Sequence, residues 1–219
     1  MNIKRMLRYF LSDKIIGFLE YYRNAYSNDD VSFNDQNYRK KIFSDIMNQI
    51  RFDGVIETGS YIGSTTSYIF NYTKLPIYTV ELNPRLYGYV KARFLLNHRI
   101  KTYIGDSRQF LINLLKDYHL NQKQYFIYLD AHWNDDLPLW EEIIIIRKYS
   151  PQSIVLIDDF AVPNDPGYYY DDYGEGKTLN KDKLFQNVST SEIYTFFPNV
   201  HSSQETGRKR GCVVVCFTL

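Results

Sequence analysis

Five short apolar runs, each carrying an acid at or just beyond its end and each followed by a segment of helical periodicity, constrain this chain more than any other feature. The runs cover residues 54–58, 77–81, 100–104, 125–130 and 153–158, and the acids are Glu57, Glu81, Asp106, Asp130 and the pair Asp158-Asp159. Helical patterns fill 64–72, 84–97, 107–118 and 138–149 between them. Strands alternating with helices of about ten residues predict a parallel sheet with helices on both faces. Right-handed crossovers then bring the C-terminal ends of all five strands to one edge. An acid in that position has no packing reason to be there, so the series points to a ligand edge.

The flanking segments complete the plan. Residues 1–31 read as one or two amphipathic helices, with Leu7, Phe10, Leu11, Ile15, Phe18, Leu19 and Tyr22 at mixed spacings of three and four. A further helix over 37–50 leads into the first strand, so residues 1–50 form an N-terminal helical cap and 51–219 the main domain. Two more strands, near 192–197 and 211–218, bring the sheet to seven. Between them and the fifth strand, residues 161–183 are rich in Pro, Gly, Asp and Tyr, a connection long enough to imply function. The triplet Arg208-Lys209-Arg210 reads as a solvated turn, with phosphate or carboxylate binding as the alternative.

Composition narrows the partners. Lys plus Arg number 26 against 25 Asp plus Glu, a formal charge of +1 that implies no broad phosphate-binding surface and makes nucleic acid an unexpected partner. Cys212 and Cys216, four apart in one apolar run, would stand roughly 13 Å apart on a strand, too far for a disulfide. No run reaches the length of a transmembrane helix, and Asp13 and Lys14 interrupt the basic, apolar N-terminus that would otherwise suggest a signal peptide. A cytoplasmic enzyme is the expectation, with a homodimer through the N-terminal helices as one use for them. The 21 tyrosines are discounted individually as compositional.

The turn after the first strand is the richest motif. Glu57-Thr58-Gly59-Ser60-Tyr61-Ile62-Gly63-Ser64-Thr65 passes from strand to helix through two glycines separated by three residues. A dinucleotide fold requires G-x-G-x-x-G so that backbone can approach a pyrophosphate, and an acid at the turn is a poor neighbour for that group. It suits an ammonium or a sulfonium instead. Glu81, twenty-two residues beyond Gly59, suits a carboxylate accepting both hydroxyls of a ribose. Asp106 is equally well explained as a helix N-cap.

The succession of Glu57 to Gly63, Glu81, Gly105-Asp106-Ser107 and Leu129-Asp130-Ala131-His132 resembles the motifs of class I S-adenosylmethionine-dependent methyltransferases over about residues 33–219. Within them it is most similar to small-molecule and sugar O-methyltransferases of the macrocin, cephalosporin-pathway and catechol types. The resemblance implies a Rossmann-like, doubly wound, seven-stranded and mostly parallel sheet. It further implies that the turn from Glu57 to Gly63 holds the methionine end of S-adenosylmethionine, with Ser64 and Thr65 also in the donor site, Glu81 the ribose, and Asp106 with Ser107 the adenine. Asp130, Asp158 and Asp159 match the positions that bind Mg²⁺ in those enzymes. Carboxylates ending adjacent strands about 4.8 Å apart repel one another unless a cation or a shared proton intervenes, and hard oxygen ligands suit Mg²⁺ or Mn²⁺.

Deprotonating an acceptor hydroxyl requires a base, and His132 is the candidate, with Asp130 beside it. The lysine that commonly follows the first metal Asp in the catechol type is missing here, and a structural or metal-bound histidine is the competing use of His132. Trp133 could wall the sulfonium or simply pack. The tyrosines and aspartates of 165–176 suit a sugar or polyol acceptor, and Phe33-Asn34-Asp35-Gln36 resembles a lead-in segment that covers the donor. The competing functions are an NAD-dependent oxidoreductase and a donor-binding scaffold without catalysis. An amino DNA methyltransferase is disfavoured because Asp130-Ala131-His132-Trp133 stands where an Asp/Asn-Pro-Pro-aromatic run belongs.

Overall fold

The computed structural model describes residues 12–26, 31–132, 136–174, 176–188 and 193–217. Trp133 and the apolar positions Leu7, Phe10 and Leu11 lie outside them. The elements in order are α1 (Asp13–Tyr22), α2 (Asn37–Gln49), β1 (Gly54–Thr58), α3 (Ser64–Thr73), β2 (Ile77–Glu81), α4 (Pro84–Arg93), β3 (Ile100–Ile104), α5 (Ser107–Leu115), the short α6 (Tyr118–Asn121), β4 (Tyr125–Leu129), α7 (Leu139–Tyr149), β5 (Ile154–Asp158), α8 (Lys181–Asn187), β6 (Tyr194–Phe196) and β7 (Cys212–Cys216). The seven-stranded sheet has the order β3-β2-β1-β4-β5-β7-β6. β1 to β5 are parallel, and β7 returns antiparallel between β5 and β6. This is the doubly wound, mostly parallel arrangement the alternation predicts.

The strands are nearly continuous apolar runs because both faces are covered. Their two-residue period divides the core. Val55, Phe126, Tyr128, Leu156 and both cysteines face one layer with Phe43 of α2, Ile69 of α3 and Val90 of α4. Ile56, Ile127, Leu129, Val155 and Val213 face the other with Leu111 of α5, Ile143 of α7 and Leu184 of α8. The two thiols are free and buried.

Helix boundaries differ modestly from the periodicity. α4 stops at Arg93 rather than Asn97, and α5 ends at Leu115 before a separate turn of helix. At its start, Asn83 caps α4 by accepting from the Arg85 and Leu86 amides, with Pro84 at the first helical position. α1 lies across α4 at close range. A Cβ on Gly17 would fall 1.7 Å from the Arg85 carbonyl oxygen and one on Gly88 2.0 Å from that of Lys14, so both contacts admit only glycine. The Arg85 side chain pairs with Glu20 at the same crossing.

α2 packs against the C-terminal end of β5 and the entry to β7. Arg39 and Asp158 are each 1% exposed and form an ion pair, and Arg39 also donates to the carbonyls of Arg210 and Gly211 at the entry to β7. The Gln36 amide brackets Arg210, donating to its carbonyl at 2.9 Å and accepting from its N–H at 3.0 Å. Ahead of α2, Phe33, Asn34 and Asp35 all have φ between 50° and 57°, one turn of left-handed backbone built without glycine. Such geometry costs roughly 1–2 kcal/mol per residue. It is held by the buried Phe33 ring against Phe43 and Tyr128, by Arg208 N–H donating to Asn34 O, and by Asn34 Nδ2 donating to Asp158 at 3.2 Å.

Removing one partner of a buried pair strands the other charge. Arg39→Met is therefore expected to lower unfolding stability by about 3–5 kcal/mol, measured by urea denaturation. A loss below about 1 kcal/mol would show that the pair is no more than a surface bridge.

Candidate functional site

The sheet order reverses between β1 and β4, and ligands of open α/β sheets bind in the crevice outside the strand ends at such a switch point. Here the crevice is defined by one contact. Gly59 has φ +80°, and a Cβ there would lie 2.2 Å from the backbone oxygen of Asp130. Only glycine allows the turn after β1 to close against the end of β4.

On the β1 side the turn is bound to β2. Gly59 and Ser60 N–H both donate to Val80 O, at 3.0 and 3.1 Å, and Tyr61 N–H donates to Glu81 Oε2 at 2.8 Å. Glu81 Oε1 accepts from Asn83 N–H at 2.9 Å, and burial raises this carboxyl above its usual range. Thr65 Oγ1 accepts from Phe33 N–H at 3.2 Å, so the left-handed turn abuts the start of α3. Glu57 is almost fully buried, and its Oε2 accepts from Thr66 Oγ1 at 2.5 Å and Thr79 Oγ1 at 2.6 Å. Burial pushes its pKa up to about 7, against the two hydroxyl bonds that lower it. Glu57 thus lies beneath the turn, with its acid turned into the protein.

Beyond β3, Asp106 caps α5, accepting from the Arg108 and Gln109 amides at 2.9 and 3.2 Å. The Arg108 guanidinium bonds the same carboxylate and lowers its pKa, and it reaches Asp136 at 2.9 Å. The cap explanation of Asp106 is therefore real, and an arginine accompanies it. Ser107 and Thr58 are buried beside Glu142 of α7, a carboxyl with no exposure, which burial drives up to about 7.

The β4 and β5 ends form the second half. Ligand atoms of Asp130, His132 and Asp159 all lie within 4.8 Å of one another. Burial, and then the charge of Asp159, hold the Asp130 carboxyl well above its ordinary value. His132 is 4% exposed, burial lowers its pKa, and neither ring nitrogen has a hydrogen-bond partner among the described residues. Its Nε2 stands 3.7 Å from Asp171 Oδ2.

The acid trio read from the sequence is rearranged. Asp158 is not in the cluster: besides Arg39 and Asn34, its carboxylate receives the Tyr128 hydroxyl and the Asp159 N–H, the last at 2.7 Å. Asp159, at φ +53°, turns the other way into the site, and His132 rather than Asp158 completes the cluster. The donor set is two carboxylates and an imidazole with two free nitrogens, which fits a divalent cation.

Two further residues join the site, one from the loop read as the acceptor segment and one from the basic triplet whose alternative reading was carboxylate binding. Arg210, in the triplet read as a solvated turn, donates through Nε to Asp159 at 2.5 Å and pairs through Nη2 with Asp171. Asp171 reaches the site because the 161–183 segment is stitched down: Asp171 N–H donates to Asp159 O at 2.9 Å, and Gly211 N–H to Tyr169 O at 2.7 Å. Of the loop tyrosines, Tyr173 turns inward, bonding Asp171 and reaching His132 O at 3.4 Å. Tyr168 is buried, donating to Val200 O, while Tyr169 and Tyr170 are exposed. The sequence offered one clue, a basic residue directly before the last strand.

No protein-family model and no curated protein matches the chain. Solved structures do. The S-adenosylhomocysteine-bound methyltransferase PaMTH1 of Podospora anserina aligns over 95% of this chain and 89% of its own, at 16% identity and TM-score 0.60. The S-adenosylmethionine-bound CalS10 of Micromonospora echinaspora, an amino pentose methyltransferase of calicheamicin biosynthesis, covers 90% and 96% at 12% identity and TM-score 0.57. The glycopeptide N-methyltransferase MtfA covers 80% and 86% at 13% identity and TM-score 0.53.

The buried Glu142 gives a pH test. Its rise from 4.5 to about 7 means that, between those values, the folded chain keeps a proton the unfolded chain has released. Stability from this group is present below pH 4.5 and lost as pH climbs through 7, a span worth about 3 kcal/mol. Glu142→Gln is expected to gain stability relative to the parent between pH 5 and pH 8 in urea melts. Parallel curves for the two proteins would contradict this. In its strand order, crossovers and crevice, the chain has the class I S-adenosylmethionine-dependent methyltransferase fold.

Proposed function

We propose that this protein is an O-methyltransferase that carries a methyl group from S-adenosylmethionine to a hydroxyl of a small molecule, sugar or glycan, assisted by a divalent cation. The observation that carries the reading is the meeting of two unlike half-sites at the Gly59–Asp130 contact. One is a glycine turn braced by Glu81, the other a cluster of acids around a buried histidine. Bound S-adenosylmethionine offers a methyl group on a sulfonium sulfur to an oxygen that approaches in line.

The residues divide the work along the strand order. Gly59, Ser60, Gly63, Ser64 and Thr65 offer backbone and hydroxyl groups for the methionine end, with Thr58 and the buried Glu57 shaping the turn beneath them and adding negative potential. Glu81 keeps lone pairs for the ribose hydroxyls while holding Tyr61 N–H. Asp106 and Ser107 border the adenine position, with Arg108 alongside. On the acceptor side His132 is the base: its lowered pKa keeps the imidazole neutral and able to accept a proton, and Asp171 beside Nε2 stabilises the cation that forms. Asp130 and Asp159, the carboxylates of the donor set, would hold Mg²⁺ or Mn²⁺, which would polarise an acceptor hydroxyl and ease its ionisation, with the His132 imidazole left to take the proton. Asp158 supports the site from behind through Arg39. The rest of the rate comes from proximity and orientation.

Transfer of labelled methyl to a panel of catechols, sugars and glycosides is the test. His132→Ala is expected to keep donor affinity and lose turnover by 10²–10⁴-fold, the range for general-base removal. Undiminished turnover in that variant would remove His132 as the base. Absence of transfer by the parent to any hydroxylated acceptor, with donor bound, would favour the scaffold reading.

A further inference from the structure

We infer that the Arg210 guanidinium is an internal counter-cation that competes with a divalent ion for Asp159 of the acceptor site and must leave that carboxylate when an ion binds. The inference rests on the reading of this edge as an acceptor site with a divalent cation, and concerns what the chain does when no ion is there. Carboxylates of Asp130, Asp159 and Asp171 gather around a single buried imidazole whose two nitrogens are free. Such a cluster demands positive charge. Among the described residues, Arg210 provides it, bonding Asp159 through Nε and Asp171 through Nη2.

The geometry is that of an exchange. Asp159 belongs at once to the Asp130/His132/Asp159 donor set and to the Arg210 pair, and the oxygen that takes the charged Nε–H bond cannot serve an ion at full strength. The Arg210 backbone is fixed: Gln36 holds its N–H and carbonyl, and Arg39 shares that carbonyl. Its side chain is partly exposed, at 23%, and the long stem allows it to swing outward without unfolding the strand. Because the same guanidinium also grips Asp171, its departure loosens the loop that covers the acceptor position. Ion binding and the Arg210 latch on the loop are thus mutually exclusive.

Mn²⁺ titration by calorimetry, without donor or acceptor, reads the competition. Arg210→Gln is expected to bind Mn²⁺ at least tenfold more tightly than the parent, and Asp159→Asn to lose binding in either background. Equal affinities of parent and Arg210→Gln, or no Mn²⁺ binding by either, would overturn the inference. A second measurement needs no variant: Mg²⁺ is expected to speed amide hydrogen exchange in residues 169–173 of the parent, and unchanged exchange would contradict the latch. S-adenosylhomocysteine affinity is measured in parallel and is expected to stay within twofold in Arg210→Gln. Its absence in the parent would refute the methyl-donor reading, while the cation result stands on the Mn²⁺ titration alone.

Discussion

The buried ion pair between Arg39 and Asp158 is the interaction on which the ligand edge depends. Asp158 ends the fifth strand inside the protein, where an isolated carboxylate would be prohibitively costly. Arg39 compensates it and, with its remaining donors, draws the start of β7 onto α2. The same carboxylate receives Tyr128, Asn34 and the Asp159 amide. With Asp158 saturated, Asp159 is left to turn the opposite way, and the left-handed turn at Phe33–Asp35 is pinned between α3 and the 206–210 segment. A pair of this kind fixes geometry more than it adds stability.

Along the edge, all but one of the clustered carboxylates named here have a compensating group. Arg39 serves Asp158, Arg108 serves Asp106, Arg210 serves Asp159 and Asp171, and hydroxyls of Thr66 and Thr79 serve Glu57. Asp130 has no such cation of its own and is pushed toward the protonated form. The acids of the donor half are satisfied within the protein, whereas the acceptor half retains a free imidazole. On the proposed reading, that asymmetry puts the proton chemistry on the β4–β5 side of the Gly59 contact.

The sheet was legible because its signals are local. Apolar runs bounded by glycine turns and separated by helical periodicity gave β1 to β5 within a residue or two, and the acids read at their ends stand along the C-terminal edge of the parallel strands. The composition of the acceptor site was not legible, for two reasons. Arg39 and Arg210 act on carboxylates 119 and 51 residues away, and no spacing rule connects such partners. Which member of Asp158-Asp159 faces the site depends on the positive φ of Asp159, a conformation uncommon outside glycine that Asp tolerates better than most residues, and both members of the pair are Asp. Tyr173 was visible only as one tyrosine among several, and its inward turn follows from the pairing of 171 with the strand end.

The central claim is that the edge over β1 to β3 is built for a methyl donor rather than a dinucleotide. Calorimetry of the full chain with S-adenosylhomocysteine and, separately, with NAD⁺ tests it most directly. The account predicts a saturable 1:1 isotherm for S-adenosylhomocysteine that Glu81→Ala weakens at least tenfold, and no binding of NAD⁺. Binding of NAD⁺ with no heat from S-adenosylhomocysteine would contradict it.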